Sequence, residues 1–228
     1  NEMHSAHIAY SYLANVLAQK ANARIVAYLP RTLSSWPERL LFAICSALGQ
    51  GAYGVYRSFG TTGFLTISPD GRQKARAFDL AHDVLAQLKT KSDLEALTID
   101  GVWIGDLVYD TYLMRFRRPT VDIGSEEFRA FMLESLETFI FWQDYIASHN
   151  IAGINVSHCV YNLAMPLRLA VLRDIPVFQA NLSHIYRLNR SELFAYNDFK
   201  HYRQRFAMLP VEIRRAGLEC ARERIERR

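Results

Sequence analysis

Cysteine is scarce. Cys45, Cys159 and Cys220 are scattered along the chain, with no CxxC pair and no Cys/His spacing suited to zinc. That excludes a disulfide framework and a structural zinc as the basis of folding, and a reducing compartment fits best. No apolar run approaches the roughly 18 residues that a membrane-spanning helix needs, and the opening segment does not spell a secretory leader. The glycine patterns of nucleotide sites are missing as well: there is no GxGxxG and no GxxxxGK[ST]. "GQGAYG" at 49–54 is glycine-rich but precedes a strand candidate instead of opening a helix. Without a GxSxG elbow, serine hydrolase chemistry is disfavoured despite Ser157 beside His158. The chain starts at Asn1 and not at methionine, which leads us to expect either that it begins inside a longer polypeptide or that disorder or processing has removed its start.

What is present is apolar mass. Half of the 228 residues are hydrophobic, enough for one large core or two small ones. Lys and Arg total 27 against 23 Asp and Glu, a net +4. This mild basic bias suits an anionic substrate or a membrane surface, and it falls short of the concentrated basic face that nucleic acid requires.

Periodicity predicts a helix over 8–20, then a buried strand "ARIVAYL" closed by Pro30. A second helix runs from Trp36 to Leu48, with Pro37 in its first turn and Gly49 at its end. The aromatic "GAYGVYRSFG" is expected to be a strand, and an amphipathic helix follows from about Pro69 or Asp70. A very short strand at 102–104 leads through a glycine into a helix carrying Asp106 and Asp110. The longest helical pattern spans 125–148, opened by Ser125 with an imperfect capping box. "INVS", a helix over 160–173 and "IPVFQ" come next, and helices over 198–208 and 211–228 close the chain. Strands separated by helices imply crossover connections, so the expected fold is α/β: one doubly wound domain over 1–228, its mainly parallel sheet covered by helices on both faces.

In such sheets ligands collect beyond the carboxyl ends of the strands, where His158 falls after "INVS". An imidazole there suits a general base, and equally a ring bonded to a nearby carbonyl or capping the next helix. Ser157 and Asn162 offer donors to the same pocket or serve as turn residues. Cys159 is expected to pack. Asp106 and Asp110, four apart, share a helix face and repel, which invites a role as base, as sugar ligand or as arginine partners. No third ligand accompanies them, so no metal is expected. Tyr109 and Tyr112 supply ring faces and hydroxyls of the kind that hold sugars. Tyr186, Arg187, Tyr196 and Arg203 lie in a basic, aromatic stretch fit for a phosphate-bearing glycan or lipid headgroup.

The phrases "IDGVWIGDLVYDTYLMRFRRPTVD", "NVSHCVYNLAMPLRLAVLRDIPVFQ" and "YRLNR" together resemble the N-terminal half of bacterial surface and capsular polysaccharide glycosyltransferases of the two-domain, facing-Rossmann type. The likeness runs from "HSAHIAYSYLANVLAQKANARIVAYL" to "YNDFKHYRQRF". It implies a Rossmann-like, three-layer domain that binds a glycan or lipid-linked acceptor and contributes a base, His158 first and Asp106 or Asp110 second. The nucleotide-sugar donor would sit mostly on a C-terminal domain beyond this chain, and this domain would bind no cofactor of its own. The resemblance implies a cytoplasmic protein, peripheral at the inner membrane face. A non-catalytic glycan-binding scaffold and a stand-alone α/β enzyme acting on a phosphorylated sugar are the rival readings.

Overall fold

The computed structural model describes residues 4–33, 35–156, 158–180, 184–195 and 202–227. Two compact units divide the chain at Ala195/Tyr196.

The first unit opens with α1 (His4–Ala21), β1 (Ile25–Thr32), α2 (Trp36–Leu48), α3 (Ala52–Ser58) and β2 (Thr61–Ile67). Helix α2 is specified by its ends. Ser35 and Glu38 form a reciprocal capping box, a proline follows in the first turn, and Gly49 closes the helix in the left-handed conformation at φ 66°. The segment expected as an aromatic strand is instead α3. Tyr53 there packs edge-on against both Phe42 and Phe64, and the Arg57 Nε–H donates to the Ser46 carbonyl at 2.9 Å. These contacts outweigh the β-propensity of its aromatic residues. The strand is displaced to the following "TTGFLTI" and pairs in parallel with β1. Strand β1 runs on through Pro30, and its register shifts between Leu29 and Thr32, the stretch in which the proline has no N–H to give the ladder.

Next come α4 (Gly71–Gln87), α5 (Lys91–Glu95), a two-residue antiparallel pair β3 (Thr98–Ile99) and β4 (Val102–Trp103), α6 (Gly105–Phe116) and α7 (Glu126–Ser148). Asp70 caps α4 and Ser125 caps α7. Helix α6 starts tight against the end of α5, because the Ile104 and Gly105 N–H groups both donate to the Leu97 carbonyl at 3.0 Å. Only glycine fits there: a Cβ on residue 105 would collide with the carbonyl oxygens of Leu94 and Glu95 and with the Leu97 nitrogen. Helix α7 is apolar over most of its circumference, and Phe128, Met132, Leu136 and Phe139 are all fully buried. Its Asp144 is tied to α4, accepting from Arg76 at 2.8 Å and from Gln73 at 3.0 Å.

The unit ends with β5 (Ile154–Val156), a 3-10 turn (Asn162–Ala164), α8 (Met165–Leu172), β6 (Val177–Ala180) and β7 (Ile185–Leu188). Strand β5 pairs with β6 in parallel, and β7 adds antiparallel to β6. The class is therefore mixed α/β, as expected, but a single mainly parallel sheet is not what forms among the described residues. Three small sheets take its place. Both parallel pairs have the helical crossovers that parallel strands require, α2 and α3 in one and α8 in the other. Their edges do not join. The core is lopsided too: among the described residues nearly all buried apolar side chains lie between Ala77 and Ala195, with only Leu33 and Ile67 before them.

The second unit is a helix pair, α9 (Tyr202–Met208) and α10 (Val211–Glu226), with no buried residue in either. A Cβ at position 217 would lie 3.7 Å from the Phe206 ring, an ordinary contact, so the two helices pack closely there without requiring glycine.

Candidate functional site

A cleft of about 410 Å³ opens beyond the carboxyl ends of β1 and β2, whose last residues Thr32 and Ile67 form one edge. Helices α6 and α7 supply the wall through Thr111, Met114, Arg115, Glu134, Thr138 and Trp142. The loop after β5 closes it with Tyr161, Asn162 and Leu163. A hollow of the same volume lies at the opposite end of β1, lined by the α1 terminus and Gly60. It is more open, and it sits at the amino ends of the strands, so the first cleft is the candidate site.

Its polar groups are mostly fixed by one another. Thr111 Oγ1 donates to the Leu107 carbonyl at 2.6 Å and accepts the Asn162 backbone N–H at 2.8 Å. Ser135 spends its hydroxyl proton on the Phe131 carbonyl at 2.9 Å, so it can only accept from Asn162 Nδ2, at 3.0 Å. That chain of bonds sets the orientation of the Asn162 amide. Its Oδ1 is then left buried with no partner. An unmet buried acceptor costs about 1–3 kcal/mol.

The preceding residue is strained. Tyr161 has φ 62° and ψ −178°, a region that essentially only glycine occupies, at a cost on the order of 1–3 kcal/mol. Strain and an unmet acceptor therefore stand side by side on the same loop. Tyr28 meets the Trp142 ring edge-on at 4.9 Å. Burial, with a smaller contribution from Tyr56, pushes the Tyr28 phenol well above its usual range, so it stays a neutral hydroxyl. Across the cleft mouth Arg115 Nη1 donates to both Glu134 carboxylate oxygens, at 2.7 and 2.8 Å.

Of the residues singled out in the sequence, Asn162 lies in this cleft. His158 is exposed at the start of the same loop and is not among the lining residues. Ser157 and Tyr196 lie outside the described residues. Asp106 is engaged elsewhere: the Arg168 guanidinium, 2% exposed, donates to its carboxylate at 2.7 and 3.4 Å. The same guanidinium donates to the Trp103 carbonyl at 3.0 Å and stacks on Trp103 and Phe194. Asp110 is exposed on the next turn, and the cation beside it is Lys91 rather than an arginine. Partial burial, then the negative charges of Asp106 and Glu95, raise its pKa, and Lys91 offsets only part.

The expected sugar-stacking role of Tyr112 is corrected. The side chain is 2% exposed among Phe116, Phe128 and Phe131, and its hydroxyl donates to Glu127 at 2.8 Å, so no face is left for a ligand. Tyr109 is likewise buried, with Lys91 Nζ 4.7 Å from its ring centre. Tyr186 and Arg187 sit on the edge strand β7, away from the cleft lining, and Tyr186 stacks on His184. Arg203 belongs to the second unit, its Nε–H donating to the Tyr202 hydroxyl at 3.0 Å. Cys159 is buried and accepts the Ala195 N–H on sulfur at 3.1 Å, a packing role as expected.

The aromatic and hydroxyl lining from Tyr28, Thr111, Thr138, Trp142 and Tyr161 is absent from the sequence reading. The residues come from four separate segments, and no local spacing links them. Among the described residues no group of three or more His, Cys, Asp or Glu side chains is placed to hold a metal. No helix there is long and apolar enough to cross a membrane. Comparison with known proteins finds no family model, no curated protein and no solved structure that matches this chain.

Proposed function

We propose that this chain is the acceptor-binding domain of a glycosyltransferase of surface-polysaccharide assembly, and that its cleft takes a sugar of a glycan or glycolipid acceptor. One observation carries the reading: a cleft beyond the carboxyl ends of β1 and β2 that brings aromatic rings, hydroxyls and the Asn162 side chain together. Tyr28 and Tyr161, both half-buried, supply the apolar surface that a pyranose face covers, and the strain at Tyr161 beside the unmet Asn162 Oδ1 marks the loop that such a ligand would settle. The resemblance of residues 99–122 and 155–179 to polysaccharide glycosyltransferases supports the same class. Under this proposal the two parallel strand pairs belong to a Rossmann-like domain. The nucleotide-sugar donor binds on a second domain, and the protein works at the cytoplasmic membrane face.

His158 remains the first choice of base, since it stands on the loop that closes the cleft. Asp106 recedes, because abstracting a proton would require it to leave Arg168. That pairing also favours a second reading, a glycan-binding domain without catalysis: the carboxylate lining the cleft, Glu134, is itself held by Arg115.

The test is titration of the chain with bacterial surface oligosaccharides, followed by tryptophan fluorescence and amide NMR shifts. Asn162→Ala is expected to weaken binding about tenfold, with shifts centred on 161–163. Failure of every glycan and glycolipid to saturate the cleft overturns the proposal. Sugar transfer by the full-length polypeptide, lost in His158→Ala, separates the catalytic reading from the binding one.

A further inference from the structure

The face that α2 turns to solvent is apolar, while its polar side faces the protein. Trp36 (73% exposed), Leu40 (43%), Ile44 (45%) and Leu48 (67%) recur every four residues, and Leu41 (62%) lies alongside. Ala43 and Ala47 fill the same arc, which contains no charged residue. On the opposite side Ser46 is buried and Phe42 leans on Tyr53. A helix of a globular domain normally does the reverse, and an apolar patch of this extent marks an interaction surface.

We propose that α2 docks this protein on an anionic lipid bilayer, lying flat in the headgroup region with this face down. Charge selects the occupant. Residues 1–69 contain Lys20, Arg24, Arg31, Arg39 and Arg57 against Glu2 and Glu38, with no aspartate, so three of the chain's four net positive charges fall there. Glu38, the acid within α2, is spent on the capping box with Ser35. Arg39 rides on α2 itself, and Arg57 is bonded to the helix backbone at Ser46. Two copies meeting through this uncharged face would bring two segments of net +3 together, whereas anionic headgroups neutralise that charge. Thirteen residues make a helix of about 20 Å, too short to span a bilayer and suited to lying in its interface. Trp36 at its start is the residue type that favours the headgroup level. The proposal does not depend on the glycan reading, since it concerns a different surface.

Vesicles of phosphatidylcholine, with and without phosphatidylglycerol, test it on the whole chain by co-sedimentation and tryptophan emission. Trp142 is buried, whereas Trp36 is exposed and reports on this face. We expect co-sedimentation and a blue shift with anionic vesicles only, both weakened by salt. Trp36→Phe should abolish the shift while sedimentation persists. The double variant Leu40→Ser/Ile44→Ser should lower partitioning about tenfold or more with an unchanged urea midpoint, because both side chains are already solvent-facing. Absence of association overturns the proposal, as does equal association by the double variant. Dimerisation in lipid-free buffer that the double variant abolishes would also overturn it and assign the face to a second copy.

Discussion

Removing the Asp106 carboxylate tests what that group is for. Arg168 is 2% exposed in its side chain and Asp106 18%, so the guanidinium is nearly dry while the carboxylate still touches solvent. Asp106→Ala strands the cation with the Trp103 carbonyl and two ring faces, and its Nε has no partner already. Breaking a buried pair from one side costs about 3–5 kcal/mol. The remaining carbonyl and rings place this case near the lower end, about 3 kcal/mol. For a chain of this size each kcal/mol moves the thermal midpoint by about 2–4 °C, which gives a fall of about 6–12 °C. Arg168→Met should cost less, about 1–2 kcal/mol, because it keeps the apolar stem and leaves behind a carboxylate that water can reach. The double variant should lose less than the sum of the two. Urea unfolding followed by circular dichroism, alongside the oligosaccharide titration, measures both sides. If Asp106→Ala loses less than about 0.5 kcal/mol and full-length transfer activity nevertheless collapses, the structural account is wrong and the carboxylate acts on substrate.

Two further outcomes follow from the same helix. The raised pKa of Asp110 means that its ionised form is disfavoured in the folded state. The penalty is present at neutral pH and disappears as pH falls below the ordinary aspartate value of about 3.9. Asp110→Asn should therefore raise the unfolding midpoint at pH 7 and make no difference at pH 3, measured by urea denaturation at both. Gly105→Ala forces a methyl into the α5 backbone and should cost at least about 3 kcal/mol, with loss of soluble protein the readout. A midpoint within about 0.5 kcal/mol of the parent chain would show that α5 and α6 can separate freely.

Elements that carry their own punctuation were legible in the sequence. Pro37 and Gly49 bracket α2, and Gly49, Asp70 at the start of α4 and Ser125 at the start of α7 each act by a bond within four residues of chain. The segment 51–60 was not, because β-branched and aromatic residues favour strands on average. Its helix is decided by contacts to Phe42 and Phe64. Strand β7 escaped because its signal is antiparallel pairing with β6, in a chain whose spacing announces crossovers. At the site, the rule that ligands gather beyond carboxyl ends located the loop and Asn162. It gave no hint that Tyr161 would be strained, or that Arg168, 62 residues away, would hold Asp106.

The uneven distribution of the core has a mechanical consequence. The cleft joins two walls of different packing: α6 and α7 belong to the dense part between Ala77 and Ala195, whereas few of the described side chains of β1 and β2 are buried. Local opening costs least where few apolar contacts must be broken. A ligand that bridges Thr32 and Thr138 would thus brace the compliant wall against the firm one, and part of its binding energy would be spent on stiffening the first third of the chain. Occupancy of the cleft and the steadiness of α2, which is carried by that same third, are then linked through one elastic element.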